Sequence, residues 1–493
     1  MPFAALSLLS PVKPLGLAPV IPPRLGALCL SLCCLLAGCG ESDSLQRVIA
    51  EGELRVVTRN SPTTYYFDKA GPVGYEYELA SRLADELGVS LDIRPVYHLD
   101  DLFTALRRGE ADLAAAGLTL TGQRQAAYDH TQAYDTLRPQ VIYRTGQRRP
   151  RAVDQIQTMK IVVLEGSSHA QSLQALRSGG LTELAWEEIP EADSMELLEM
   201  VDSGEAELAI LDSNEFSVQQ SLYPRLKVAF ELGSEQDMVW YLPQGSSSLT
   251  ELANDFISRL DDSGDLERLR ELHFGHAAGV TRIGSHTFTR NMASKLPEVR
   301  PMIEQVAAEF QLDWHLLAAV AYQESHWDPT ATSPTGVRGL MMLTLPTARE
   351  LGIKDRLDPL QSLRGGARYL KDLKRRMPAD IYEPDRTWFT LAAYNIGRGH
   401  LEDARVLTER HGGDPHLWQD VMQYLPLLQK SKYHSTARYG YARGREAVTY
   451  VQNIRHYDTI LKWQDLPVNQ PLPPLDTQPL LPKALRSLSL QAL

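Results

Sequence analysis

Apolar and polar residues alternate in two distinct rhythms along this chain, and the change falls near residue 280. In the first half, short apolar runs alternate with helical stretches. Leu54-Arg-Val-Val57 reads as a strand, residues 76–87 as an amphipathic helix and 90–94 as a second strand. Residues 99–108 are again helical, and 111–118 form a buried strand. That β-α-β-α order predicts an α/β domain with a mostly parallel sheet, whose ligands sit at the carboxyl ends of the strands. From about residue 280 the apolar residues recur every three or four positions, over 299–310, 314–326, 347–351, 363–376, 387–395 and 446–463. No alternating run interrupts them, so the second half reads as all-α.

One residue breaks the second rhythm. Leu317, Val320, Ala321 and Glu324 fall at i, i+3, i+4 and i+7, which sets a carboxyl group on the apolar face of a helix. Pro329 disfavours helix at Asp328, so the helix should stop just beyond the glutamate. Poor solvation favours the neutral acid and raises its pKa, as a general acid near neutral pH requires. The bland alternative is a solvated side chain at a helix end. The nearby acids Asp328, Glu350 and Asp355 sit in no recognisable motif, so no second catalytic carboxylate is evident.

Composition bounds the remaining possibilities. A length of 493 residues points to two or three domains, and a 43% hydrophobic share suits globular cores. The net charge of -12 argues against a nucleic-acid partner. All four cysteines (Cys29, Cys33, Cys34, Cys39) lie near the start, leaving no disulfide framework in the body. His315 and His326, or His411 and His416, lack a third partner at ligand spacing, so neither a metal nor a cofactor is expected. The apolar stretch 25–36 follows Arg24 and ends in Leu36-Ala-Gly-Cys39, the pattern of a secretory signal. The tetrapeptide resembles the bacterial lipobox. That resemblance implies lipidation of Cys39, and Gly40 after it points to the outer membrane on its periplasmic face. An ordinary cleaved signal is the alternative. The expected divisions are a signal at 1–38, an α/β domain at 39–275, a helical domain at 276–465 and a flexible Pro/Leu-rich tail at 466–493.

Within the first domain, Gly74-Tyr-Glu-Tyr-Glu-Leu-Ala80 and the segment Gly109 to Arg124 resemble the family 3 bacterial solute-binding proteins, two-lobed periplasmic amino-acid receptors. The resemblance implies that Gly117, Thr119 and Arg124 grip a ligand carboxylate, a role suited to a guanidinium fork, a hydroxyl and a backbone N–H. It also implies that Ser167 and Ser168 assist from the second lobe, that Asp212 pairs with an α-amino group, and that Tyr66 and Phe67 sandwich the ligand. The two inter-lobe crossings are expected near residues 143–147 and 233–240. Surface ion pairing for Arg124 and plain core roles for the aromatics are the alternatives.

In the second domain Glu324-Ser325 is followed by Ser333-Pro-Thr-Gly-Val-Arg-Gly-Leu-Met-Met-Leu-Thr344, then Ala392-Ala-Tyr-Asn-Ile-Gly-Arg-Gly399 and Tyr450-Val-Gln-Asn-Ile454. This order resembles the soluble-lytic-transglycosylase family, which has a goose-lysozyme-like fold and cleaves peptidoglycan glycan strands to 1,6-anhydromuramoyl ends. The resemblance makes Glu324 the catalytic acid and base and places Ser325 in the signature. It sets Ser333 near the scissile bond and makes Gly339, Leu340 and Met341 a groove-lining turn. Tyr394 would hydrogen-bond the catalytic carboxyl, Asn395 support the site and Tyr450 line the groove. Met342 stands where the family usually has Gln, and Thr344 where it often has Met. The implied partners are glycan strands and, for the first domain, a muropeptide or amino acid. A water-using muramidase and a solute receptor with a wall-docking helical domain are the two competing readings.

Overall fold

The computed structural model describes residues 44–68, 71–96, 98–190, 192–220, 222–275, 282–333 and 336–465. Cys39, the signal segment and the tail from 466 lie outside the described residues. The α/β half carries β1 (Glu53–Arg59), β2 (Tyr66–Asp68), β3 (Gly71–Val73), β4 (Ser90–Val96), β5 (Leu113–Thr119), β6 (Asp129–His130) and β7 (Asp135–Leu137). These are followed by β8 (Pro139–Arg144), β9 (Ile161–Leu164), β10 (Glu187–Ile189), β11 (Leu208–Asp212), β12 (Leu226–Glu231) and β13 (Gln236–Leu242). The strands build two large sheets, β4-β1-β5-β13-β6 with β7 also on β13, and β10-β9-β11-β8-β12, while β2 and β3 pair with each other as a separate two-stranded ribbon. In the first, β1 runs parallel to β4 and β5, while β13 runs antiparallel to β5. In the second, β9 runs parallel to β10 and β11, and β8 antiparallel to β11 and β12. Each sheet buries both faces, so its central strands read as continuous apolar runs.

Each sheet is one lobe, and the chain passes between them twice. The first passage is at Arg138, between β7 and β8, and the second at 232–235, between β12 and β13. The first departs from the expected position, and the second falls at the start of the expected span. Tyr143 lies inside β8, paired to Leu208 and Lys227 in the second lobe, and most of 233–240 belongs to β13. A strand that enters a lobe directly from a hinge leaves no turn residues to mark the boundary. The two passages lie side by side, with the Leu232 N–H donating to the Pro139 carbonyl at 2.7 Å.

The α/β half closes with the helix Asp265–Phe274, and the helical half opens with Arg282–Ser294. Its core gathers Phe288, Ile303, Leu317, Val320, Leu363, Phe389, Leu401, Trp418 and Ile454 around two central helices, Trp314–Ser325 and Gly444–Gln464. The halves are joined by a buried ion pair. Arg455, 2% exposed on the Gly444–Gln464 helix, donates to both carboxylate oxygens of Glu271 (2.8 and 3.1 Å) and to the Glu271 and Leu272 carbonyls. Among the described residues no helix is long and apolar enough to cross a membrane.

Candidate functional site

The helix that carries Glu324 starts at Asp313, whose side chain accepts the His315 N–H at 2.9 Å. Leu317, Val320 and Ala321 are at most 1% exposed, and Glu324 continues their face in the last turn. The helix ends at Ser325, four residues before Pro329. His326 (φ 52°) and Trp327 (φ 56°) both take left-handed backbone conformations. Two such non-glycine residues in succession are costly, and packing holds them. The Trp327 ring is 2% exposed, lies against Phe288 and Tyr322, and donates its indole N–H to the Ala318 carbonyl at 2.9 Å. The reversal returns the following chain to the helix end.

The returning segment is pinned at three points. Ser325 Oγ lies 2.9 Å from the Leu340 carbonyl, Met341 N–H donates to Ser362 Oγ at 3.1 Å, and the Tyr394 hydroxyl donates to the Met341 carbonyl at 3.1 Å. Gly339 has φ +85°, and a Cβ there would fall 1.8 Å from the Arg356 carbonyl oxygen, so only glycine fits. Met342, the residue that departs from the family pattern, also has positive φ and is partly exposed.

The tyrosine contacts differ from the expected assignment. The Tyr450 hydroxyl donates to Glu324 Oε1 at 2.5 Å, whereas the Tyr394 hydroxyl is committed to the Met341 carbonyl. Tyr450 therefore holds the carboxyl, and Tyr394 braces the turn beside it. The reason is topological: the Gly444–Gln464 helix packs directly along the Glu324 helix, and Tyr450 is buried in that seam. Ser333 is partly buried, its hydroxyl accepting the Val337 N–H at 3.3 Å. Asn395 is exposed on the last turn of the Asp385–Ile396 helix.

Burial pushes the Glu324 carboxyl up to about 7, against the opposing pull of the Tyr450 hydrogen bond. No second carboxylate shares the site among the described residues. Asp328 accepts from Thr330 N–H and Oγ1–H, and Asp355 accepts the Leu357 N–H. The group thus holds its proton near neutral pH and has one neutral donor to steady it once the proton leaves.

The second candidate site is the cleft between the two sheets. Arg59, Leu99, Gly117, Thr119, Arg124, Ser167, Ser168, His169, Asp212 and Glu215 line it, from both lobes. Gly117 N–H is turned inward to Glu76 Oε1 (2.9 Å), and the Glu76 carboxylate also takes Tyr134 O–H and Trp240 Nε1–H. Glu76 fixes the turn that presents Thr119 and Arg124. Arg124 lies over the Phe103 ring and reaches across the cleft to the Gly166 carbonyl at 3.1 Å. Ser167 caps the helix Ser168–Ser178 by accepting the Ala170 N–H. Thr119 Oγ1, His169 Nδ1 and Asp212 Oδ1 are buried without a hydrogen-bond partner among the described residues. Buried polar atoms are normally paired, so three orphans facing one cleft make it a candidate ligand site.

Tyr66 and Phe67 do not line this cleft. β2 pairs only with β3, away from the main sheet, which leaves Phe67 52% exposed and sets Tyr66 within electrostatic reach of Lys462 in the helical half. Three polar cleft residues, Arg59, His169 and Glu215, carry no motif signal in the sequence. Arg59 bonds Glu215 from the opposite lobe at 2.7 Å, and His169 lies 3.7 Å from Asp212. Burial lifts Asp212 to about 6, with Arg59 and Arg124 pulling down, and burial lowers His169 to about 4.

Two domain families match the chain: bacterial extracellular solute-binding proteins, family 3, over residues 54–276, and the Transglycosylase SLT domain over 301–415. The chain is therefore a solute-binding-protein-like domain fused to a transglycosylase-type helical domain. Curated relatives share this whole arrangement. The membrane-bound lytic murein transglycosylase F of Ectopseudomonas mendocina is 47% identical over 90% of this chain and 91% of its own. Those of Stutzerimonas stutzeri (44%; 89% and 91%) and Idiomarina loihiensis (46%; 86% and 93%) are similar over comparable spans. The chain belongs to the membrane-bound lytic murein transglycosylase F family. Among solved structures, a mutant of ArgBP from T. maritima aligns at TM-score 0.43 and 20% identity, covering 47% of this chain and 99% of that one. An ancestral amino acid-binding protein, AncCDT-1, aligns at TM-score 0.42 and 22% identity, covering 47% and 99%.

Proposed function

We propose that this chain is a peptidoglycan-cleaving lytic transglycosylase whose single catalytic carboxyl is Glu324. The observation that carries the mechanism is a carboxyl kept neutral by burial, hydrogen-bonded by one tyrosine and without a carboxylate partner. A hydrolase of the usual kind needs a second carboxylate to act as nucleophile or to activate water. Here the substrate supplies the second group. Glu324 donates its proton to the glycosidic oxygen as the bond from C1 of N-acetylmuramic acid to O4 of N-acetylglucosamine breaks. The 2-acetamido oxygen stabilises the positive charge at C1. The Glu324 carboxylate, steadied by the Tyr450 O–H, then removes the C6 hydroxyl proton, and O6 bonds to C1. The carboxyl is protonated again, the product ends in a 1,6-anhydro ring, and no water is consumed. The tethered hydroxyl has a high effective molarity, which favours this closure over attack by water. Mass spectrometry of sacculus digests tests it: anhydromuramoyl ends support the reading, and reducing ends contradict it.

The first domain, on this reading, binds a zwitterion: a free amino acid or the end of a stem peptide. Arg124 and Thr119 suit the carboxylate, and the unpartnered Asp212 Oδ1 suits an ammonium group. Calorimetry on the full chain with muropeptides and amino acids should give saturable heat that Asp212→Asn abolishes; heat that survives the substitution contradicts the assignment. Lipidation of Cys39 would hold the protein at the periplasmic face of the outer membrane. A mature N-terminus other than an acylated Cys39 would refute that anchor.

A further inference from the structure

The chain is acidic overall, at a net charge of -12, yet the stretch from Lys430 to Arg445 carries Lys430, Lys432, Arg438, Arg443 and Arg445 and no Asp or Glu. All five cations are exposed, and only Arg443 makes an ion pair, with Glu446, among the described residues. The same stretch holds Tyr439 and Tyr441, exposed by 52% and 54%. Solvated lysines and arginines are ordinary on a surface, but a basic segment with two half-exposed tyrosines, Tyr439 lying 5.5 Å from the Arg438 guanidinium, on an acidic protein calls for a partner.

The segment is built, and it connects to the elements that carry Tyr394 and Tyr450. The buried Asp403 carboxylate accepts the Arg438 and Tyr439 N–H groups at 3.0 and 2.7 Å. Ala442 is buried, and its N–H donates to the Leu428 carbonyl. Gly440 turns the chain between the two tyrosines at φ +80°. The Tyr439 ring packs so closely on Gly399 that a Cβ there would lie 2.6 Å from it. Gly399 closes the cluster that contains Tyr394. At its other end the segment runs into the helix of Tyr450, with Arg445 five residues before it, about 7.5 Å along the axis.

We propose that Lys430–Arg445 is an additional substrate-contact surface, on which Tyr439 and Tyr441 are platforms for sugar rings of the strand beyond the cut and Lys430, Arg438 and Arg445 hold carboxylates of its stem peptides. The inference rests on the transglycosylase reading and adds a preference for peptide-bearing strands. Charge complementarity selects the occupant: stem peptides carry free carboxylates, which guanidinium groups hold by charge-assisted hydrogen bonds. A surface fixed by Asp403 and Ala442 loses little entropy on binding.

The test compares two substrates with the full-length protein: peptide-bearing glycan strands, and the same strands stripped of peptide by an amidase. The triple variant Lys430→Gln, Arg438→Gln, Arg445→Gln should raise KM on peptide-bearing strands about five- to tenfold, in line with several exposed charge pairs. Its KM on stripped strands should move less than about twofold. The charge-preserving set Lys430→Arg, Arg438→Lys, Arg445→Lys should restore most of the affinity. Tyr439→Ala with Tyr441→Ala should raise KM on both substrates. Equal KM changes on the two substrates in the triple variant, or none, would overturn the proposal. So would loss of binding to anionic lipid vesicles with both KM values intact, since the surface would then face a membrane. Wild-type protein that releases no anhydro ends would instead fault the underlying transglycosylase reading.

Discussion

Glu324 and Asp212 both have desolvated carboxyls raised above their ordinary values, to about 7 and about 6, yet their surroundings differ in kind. Around Glu324 burial acts almost alone, opposed only by the neutral Tyr450 hydroxyl. Around Asp212 burial works against two guanidinium groups, Arg59 and Arg124. The first site is arranged to keep a proton and lend it. The second has its cations in place and leaves Asp212 Oδ1, with Thr119 Oγ1 and His169 Nδ1, without a hydrogen-bond partner among the described residues; on the proposed reading an ammonium would meet Asp212. Desolvation raises both carboxyls, and the neighbouring charges set them apart: a neutral hydroxyl at Glu324, two guanidinium groups at Asp212.

Glu324→Gln tests the catalytic side of this contrast most severely. It should lower turnover of sacculi by about 10³-fold or more, since the acid and base are lost together. It should also stabilise the protein at alkaline pH. A carboxyl whose folded pKa is raised favours the fold while protonated, and that contribution is lost as pH rises through about 7. The variant's advantage in Tm should therefore be larger at pH 8 than at pH 5, on the order of 2 kcal/mol in stability. Wild-type activity should fall as pH rises past about 7 for the same reason.

Gly339→Ala should cost roughly 3 kcal/mol or more, because the new Cβ meets a backbone carbonyl and the residue must keep φ +85°. Thermal unfolding of the full chain measures it. Tyr450→Phe should cut kcat about 10- to 100-fold by freeing the carboxyl. Since its hydrogen bond lowers the Glu324 pKa, the alkaline limb of the pH profile should move up. On the receptor side, ligand affinity should weaken about tenfold between pH 7 and pH 5, as Asp212 takes up a proton below about 6 and no longer attracts an ammonium; calorimetry at the two pH values reads it. Tyr394→Phe should give the smallest change, about 1 kcal/mol of stability and a few-fold in rate, from one lost hydrogen bond to a carbonyl. If Tyr394→Phe proves the more damaging of the two tyrosine variants, the roles drawn from the geometry are reversed.

Periodicity made the Glu324 helix legible, because a carboxyl in register with Leu317, Val320 and Ala321 has only one face to occupy. It could not tell which neighbouring helix would reach that carboxyl. Tyr394 and Tyr450 are both tyrosines on apolar faces, and only packing separates them. The left-handed pair His326-Trp327 carried no glycine or asparagine signal, since a buried indole enforces it. Arg59 and Glu215 are 156 positions apart and belong to different lobes, so only the tertiary fold brings them together. The Glu271–Arg455 pair escaped for the same reason: a pattern within one element does not show which charge another domain will offer.

The product end group tests the central claim most directly. Digestion of purified sacculi with wild-type protein, followed by mass spectrometry, should give muropeptides ending in 1,6-anhydromuramic acid, and Glu324→Gln should give almost none. Reducing ends from the wild type, or undiminished anhydro products from the variant, would contradict the account.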